Sequence, residues 1–326
     1  NKWIGRWNSA TKNYFIGDSS GVNTTNFNNV GVGSKTLQKN TTAYANVAIG
    51  NNSMQNNVTS LRNTAVGDSS LFSQSFNPGA NYFGDNTAIG SKVLFSNQPT
   101  STGNGGKNTA MGSEAMYQNT TGYENTAIGV SALRENTSGY ANTAIGRSAA
   151  RLSKSGYYNS YLGYATGYSD SSGIANTGMG SFALYHHLRG NDNVAIGINA
   201  MVSDTSGKSN TVIGSYAGYS GDSTEQTVSI GYASLFFNKA DFNTAVGAYA
   251  GYSNSRTSIN PTQGIENTMI GYAALNGNAF GSQNTVVGHK AMSIFEPGFF
   301  TGAAPSRNVA VGDSALNQNK ANDNVA

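Results

Sequence analysis

Cysteine is absent from this chain of 326 residues, so no disulfide and no thiolate metal site is available to it. Proline occurs only five times, and acidic and basic residues together make up 11%. The net charge of +3 comes from Lys and Arg scattered without a basic run, which argues against a nucleic-acid partner. So little charge also leaves no self-repulsion to keep the chain open as a disordered polymer. Long apolar runs are missing as well, and nothing approaches the ~20 residues of a membrane-spanning helix. With 37% hydrophobic residues, the chain lacks the material for the large oily cores that its length would ordinarily support. Something else must order it.

What the chain has in quantity is Gly, 41 of them, with Asn, Ser and Thr, residues whose short side chains bond nearby backbone groups. They are arranged. The stretch GYENTAIGVSALRENTSGYANTAIGRSAAR, residues 122–151, spells Asn-Thr-Ala-Ile-Gly twice in one phase. Aligning the whole chain on the closing glycine gives eighteen positions from Gly5 and Gly17, through Gly50, Gly67, Gly129, Gly146, Gly197 and Gly214, to Gly312, mostly 17 residues apart. A fixed period of this size is the mark of a solenoid.

Each column has its own chemistry. Four residues before the glycine stands Asn, as at Asn46, Asn63, Asn86, Asn108, Asn125, Asn142, Asn193, Asn210 and Asn284, with Thr227 the exception. Then come Thr or Val, usually Ala, and Ile, Val or Met. This period-two alternation predicts a strand with Thr/Val and Ile on one face, Ala and Gly on the other. Four residues after the glycine the side chain is mostly Leu or Met, and in three repeats it is Gly followed by Tyr (Gly167-Tyr168, Gly218-Tyr219, Gly251-Tyr252), where a ring can fill the missing volume.

The expected fold is all-β: one parallel β-solenoid domain over residues 1–326, about 18 rungs with two short strands each. The Ile column (Ile49, Ile128, Ile145, Ile196) is expected to face the Leu column (Leu71, Leu133, Leu184, Leu235) in a thin core, with the Asn amides bonding from rung to rung at a bend. So slender a core sets little burial against the backbone entropy of ordering each rung, ~1 to 2 kcal/mol per residue. Copies are therefore expected to pack side by side, with the Ala and Gly columns at the contact. Asn1 already stands at the Asn position of a repeat, and Asn324-Val325-Ala326 stops short of the next glycine, so the expectation is a fragment of a longer chain.

The words NTAIGVSAL at 125–133, NVAIGINAM at 193–201 and NTAVGDSSL at 63–71 resemble the head repeats of trimeric autotransporter adhesins. NTSGYANTAIG at 136–146 and the 17-residue spacing are similar to repeats of phage and viral tail fibres. The resemblance covers essentially the whole chain. It implies a left-handed parallel β-roll, a homotrimer, and an extracellular role in projecting from a bacterial surface or a virion and attaching to a host-surface protein or glycan. The rung is longer than the adhesin pattern, no heptad stalk is visible, and membrane contact is expected only through an anchor outside this chain.

Four spacings are stretched, giving insertion loops near 72–85, 95–107, 253–266 and 293–307, and all five prolines lie in them. Two carry aromatic residues: Phe76, Tyr82 and Phe83, and Phe295, Phe299 and Phe300. Rings there either stack on a receptor or fold back over the roll. No catalytic residue, metal site or cofactor is expected. Neither a nucleophile elbow nor a Walker loop is present, and the adjacent His186 and His187 would point to opposite faces of a strand. A polysaccharide depolymerase is the alternative, needing two carboxylates such as Glu266 or Glu296. Ice binding through the Thr column is the remote one, disfavoured because that column is expected to share the core face with Ile.

Overall fold

The computed structural model describes residues 5–79, 82–221, 223–254, 263–278, 280–293, 305–318 and 321–326. Among them every regular element is a β-strand and none is helical. The chain divides into two units, Asn1–Leu162 and Gly163–Ala326. Each is a β-solenoid.

In the first unit, strand β1 (Arg6–Asn8) folds back antiparallel on β2 (Asn13–Ile16), pairing Arg6 with Phe15. Gly5, expected to close a rung, instead precedes this hairpin. From β2 onward each rung contributes a three-residue strand stacked in parallel on the next, with like residues in register: Thr126 on Thr143, Ala127 on Ala144, Ile128 on Ile145. The second unit repeats the scheme from Thr177–Met179 to Val309–Val311. Insertions leave it intact. Thr87 pairs with Thr109 and Thr244 with Thr268 although the spacing there exceeds 17 residues.

Most rungs have one such strand, where two were expected; the exceptions are two rungs in which Ser60–Leu61 and Tyr82–Phe83 form a second, parallel pair. The arm after the glycine is a run of turns in which residues two and four places on take positive φ, as Ser131 (58°) and Leu133 (47°) do. Its amides still reach neighbouring rungs, but in alternate directions: Ser131 N donates back to Ser113 O and Leu133 N forward to Ala149 O. Leu and Ser have no intrinsic preference for left-handed backbone, so side-chain type could not announce this arm.

The interior is the reverse of the expected one. Ala48, Ala65, Ala127, Ala144 and Ala195, at the middle of their strands, are fully buried, together with Leu71, Leu133, Leu184 and Leu235 from the turn arm. Ile128, Ile145 and Ile196 are half-buried on the outside, and Ile49 is 39% exposed. The alternation is as expected; its direction is not. Asn46, Asn63, Asn86, Asn108, Asn125, Asn142, Asn193, Asn210 and Asn284 are all buried. Asn shares its parity with Ala, and once the amide ladder is inside, Thr and Ile must face out.

Volume is conserved across the narrow interior. Phe15 fills the space at Gly21, where a Cβ would lie 2.4 Å from its ring. Met269 does the same at Gly251, and Val212 packs against Gly218. The inward strand residue thus compensates the missing Leu, rather than the following tyrosine. Tyr219 and Tyr252 lie outside, stacked on Phe236. Each fully buried Leu or Met contributes about 1.5–3 kcal/mol.

The rung glycines stack on one another. A Cβ on Gly129 (φ 135°) would lie 2.5 Å from Gly146 O, and one on Gly197 2.5 Å from Gly214 O. Gly50 and Gly67 are confined in the same way, while Gly146 and Gly214 share the same positive φ.

Candidate functional site: ladders and outer faces

Two polar ladders run inside each unit. In the first, Asn125 Nδ2 donates to Asn108 Oδ1 (3.2 Å) and to Gly139 O (2.8 Å), while its own Oδ1 accepts from Asn142 N (3.0 Å) and Asn142 Nδ2 (3.1 Å). Asn193, Asn210 and Asn284 repeat the pattern. The second ladder, seven residues after the glycine, was not expected. It includes Asn40, Asn57, Asn97, Asn119, Asn136, Asn254 and Asn278, all buried, with Asn119 Nδ2 donating to Asn97 Oδ1 at 2.8 Å and Asn136 Nδ2 to Asn119 Oδ1 at 2.7 Å. Its column varies more in type, holding Gln74, Asp170, His187 and Asp204 as well, which hid it. Asn57 and Asn136, each of which opens an Asn-X-Ser/Thr triplet, belong to this ladder, so neither of these two amides is open to a glycosylating enzyme in the folded chain.

His187 is part of that inner column and is completely buried, whereas His186 is exposed against Tyr185. The two do point apart, though from a turn rather than a strand. His187 Nε2 lies 3.1 Å from Asn193 Nδ2. His289 Nδ1 meets Asp313 Oδ1 at 2.7 Å on the surface. Among the described residues no three His, Asp or Glu side chains converge to hold a metal ion. Glu266 is exposed and accepts from Gln283 Nε2 at 3.0 Å; Glu296 lies outside the described residues.

The Thr/Val and Ile columns form the outward face of the strand ladder. In the first unit Thr64, Thr87, Thr109, Thr126 and Thr143 follow one another in register, half-buried to exposed, beside the column containing Ile89, Met111, Ile128 and Ile145. The expectation that Thr lies inside the core is therefore corrected. In the second unit Val194, Val228 and Val309 interrupt the Thr column.

Of the insertion-loop rings, Tyr82 is buried. Its hydroxyl donates to Asn104 O at 2.7 Å, its ring meets Phe76 edge to face, and burial pushes its pKa up from the ordinary phenol range. Phe76 is half-buried, and Phe83, 47% exposed, carries the Arg62 guanidinium 4.5 Å above its ring. Phe295, Phe299 and Phe300 lie outside the described residues. The loop of residues 95–107 is tied down, with Asn97 Nδ2 donating to Gly105 O (2.9 Å) and Asn104 Oδ1 accepting from Thr100 N (3.0 Å).

Charges pair along the outer corner that precedes the first ladder: Arg62 with Asp85 at 2.7 Å, Lys107 with Glu124 at 2.8 Å, Arg307 with Asp323 at 2.7 Å. On the turn arm, a hydrogen bond from Arg134 Nε holds the Glu114 carboxyl below its usual range. Burial pushes Asp241 up despite the bond it accepts from Glu225 N.

Aromatic rings make further outer ladders. Tyr123, Tyr140 and Tyr157 stack within 4° of parallel at 4.8–4.9 Å, and Phe72, Phe95 and Tyr117 stack likewise. In such a stack the faces of the middle ring are covered by its neighbours. No family model and no curated protein sequence matches the chain.

Proposed function

We propose that this chain is a segment of a homotrimeric, left-handed β-roll fibre that projects from a bacterial or virion surface and attaches to a host protein or glycan. One observation carries the reading: each unit leaves a continuous outward stripe of Ile, Val and Met unburied along its strand ladder. Ile49, Met111 and Leu162 in the first unit and Met179, Ile270 and Val311 in the second are exposed, whereas isolated chains rarely leave so extended an apolar stripe in water. Three chains turning this face to a common axis bury it. The contact thus falls on the Thr/Ile side, while the Ala column that sequence periodicity assigned to it fills the interior of each chain.

Changing Ile128 and Ile145 together to Asp should convert the assembly to single chains while the amide ladders persist. Sedimentation equilibrium with far-UV circular dichroism reads both. A wild-type chain that sediments as a monomer overturns the reading.

The in-register Thr run from Thr64 to Thr143 favours a second reading, in which the same face stays free and meets ice. The two readings are exclusive for this face, and the sedimentation mass separates them.

A further inference from the structure

We propose that the corner of the second unit built from the two residues following each rung glycine binds an extended, neutral polysaccharide; this rests on the attachment reading and gives it a site and a ligand class. All rungs share this corner, and the two units fill it differently. In the first unit it holds Asp18, Lys35, Asp68, Lys92, Glu114 and Arg147 among serines, asparagines and a valine. In the second, the seven rungs from Tyr164 to Ala273 hold no charged residue there and are lined by Tyr164, Phe182, Tyr216, Tyr232, Tyr249 and Tyr272, with charge returning at Lys290 and Asp313 in the rungs that follow.

The rings alternate between the two places, so that Tyr216, Tyr232, Tyr249 and Tyr272 meet successively edge to face at 5.4–6.0 Å. Tyr164 and Phe182 do the same at 5.1 Å. Edge-to-face contact covers ring faces less than the parallel ladders do: Tyr232 and Tyr272 are 49% and 47% exposed, although His289 stacks on one side of Tyr272 at 5.4 Å. The fold does not ask for them. Phe182, Tyr216 and Tyr249 carry φ of 59–60°, where a bulky aromatic side chain is an outlier and the first unit places Ser, Asn, Lys or Glu. Strain of this kind collects at functional surfaces.

The ligand class follows from three features. Half-exposed tyrosines offer a flat apolar face with a polar rim, which suits pyranose rings. The absence of charge disfavours acidic polymers. Tyr232 and Tyr272 stand two rungs apart, ~9.6 Å, close to the length of one disaccharide in an extended β-linked chain.

Native electrophoresis of the full chain in gels containing hydroxyethylcellulose or galactomannan, against gels containing alginate, tests this. Retardation is expected in the neutral gels alone. Tyr232→Ala with Tyr272→Ala should weaken it about tenfold or more, the loss expected of two stacking rings, while Tyr123→Ala with Tyr140→Ala should leave it unchanged. Circular dichroism verifies that both variants fold. No retardation in either neutral gel, stronger retardation in alginate, or equal retardation of the Tyr232/Tyr272 variant overturns the proposal. So does a change in sedimentation mass of that variant without any glycan retardation, which would make the corner a contact between chains. Ring-dependent retardation of a monomeric chain would sink the trimer and leave this site standing.

Discussion

Replacing Gly129 by alanine should cost roughly 4 kcal/mol or more, a large loss for the addition of a single methyl group. Two penalties combine. The added Cβ would lie 2.5 Å from Gly146 O and 2.6 Å from its carbonyl carbon, backbone atoms held by the next rung. The backbone conformation, with φ 135°, is itself one that an L side chain pays ~1–3 kcal/mol to adopt. Gly79→Ala supplies the control, since that glycine has φ 72° and nothing within 4 Å of the added carbon. Its cost should stay near 1 kcal/mol. Thermal unfolding followed by circular dichroism, together with hydrogen exchange of the rungs around residue 129, distinguishes the two. Equal losses would show that the rungs can spread to admit a Cβ.

Asn125→Ala should follow at about 3 to 5 kcal/mol. Asn125 joins three rungs through its side chain: it donates to Asn108 Oδ1 and Gly139 O, and accepts from the backbone and the side chain of Asn142. Removing it strands the buried Asn142 N, at ~1–3 kcal/mol, and takes one bond of ~1 kcal/mol each from Asn108 Oδ1, Asn142 Nδ2 and Gly139 O, which keeps only Asn136 Nδ2. The damage should be local, because solenoid stability is a sum of neighbouring-rung terms. Hydrogen exchange is therefore expected to accelerate between residues 108 and 142, leaving distant rungs protected. Uniform acceleration, or none, would show that the ladder does not carry the stack.

The period, the strand and the Asn column were legible because each repeats a residue type that one geometry demands. The direction of the strand is equally present in the sequence, though hydrophobicity masks it: Asn63 and Ala65 share parity, so a buried amide row already sends Thr64 and Val66 outward. Hydrophobicity alone favours the opposite choice, since Ile outranks Ala as a core residue. The interior is too narrow for that ranking to decide. Where a large residue does enter, as at Met269, the facing position shrinks to Gly251. The turn arm was illegible for a different reason. Leu133 and Ser131 take left-handed backbone because inter-rung bonds hold them there, a tertiary cause with no local propensity behind it. The inner ladder was hidden by its mixture of Asn, Gln, Asp and His, which share burial and bonding rather than a name.

The pairing of each strand with the one in the following repeat, within each unit, also bears on how the chain reaches this state. A residue finds its partners a short, nearly constant distance along the chain, even across an insertion, so relative contact order is low and the loop-closure entropy of each step is small. Growth can nucleate at any repeat and proceed by accretion in both directions, each new coil adding to a finished template. Such a chain can begin to fold while it is still being synthesised.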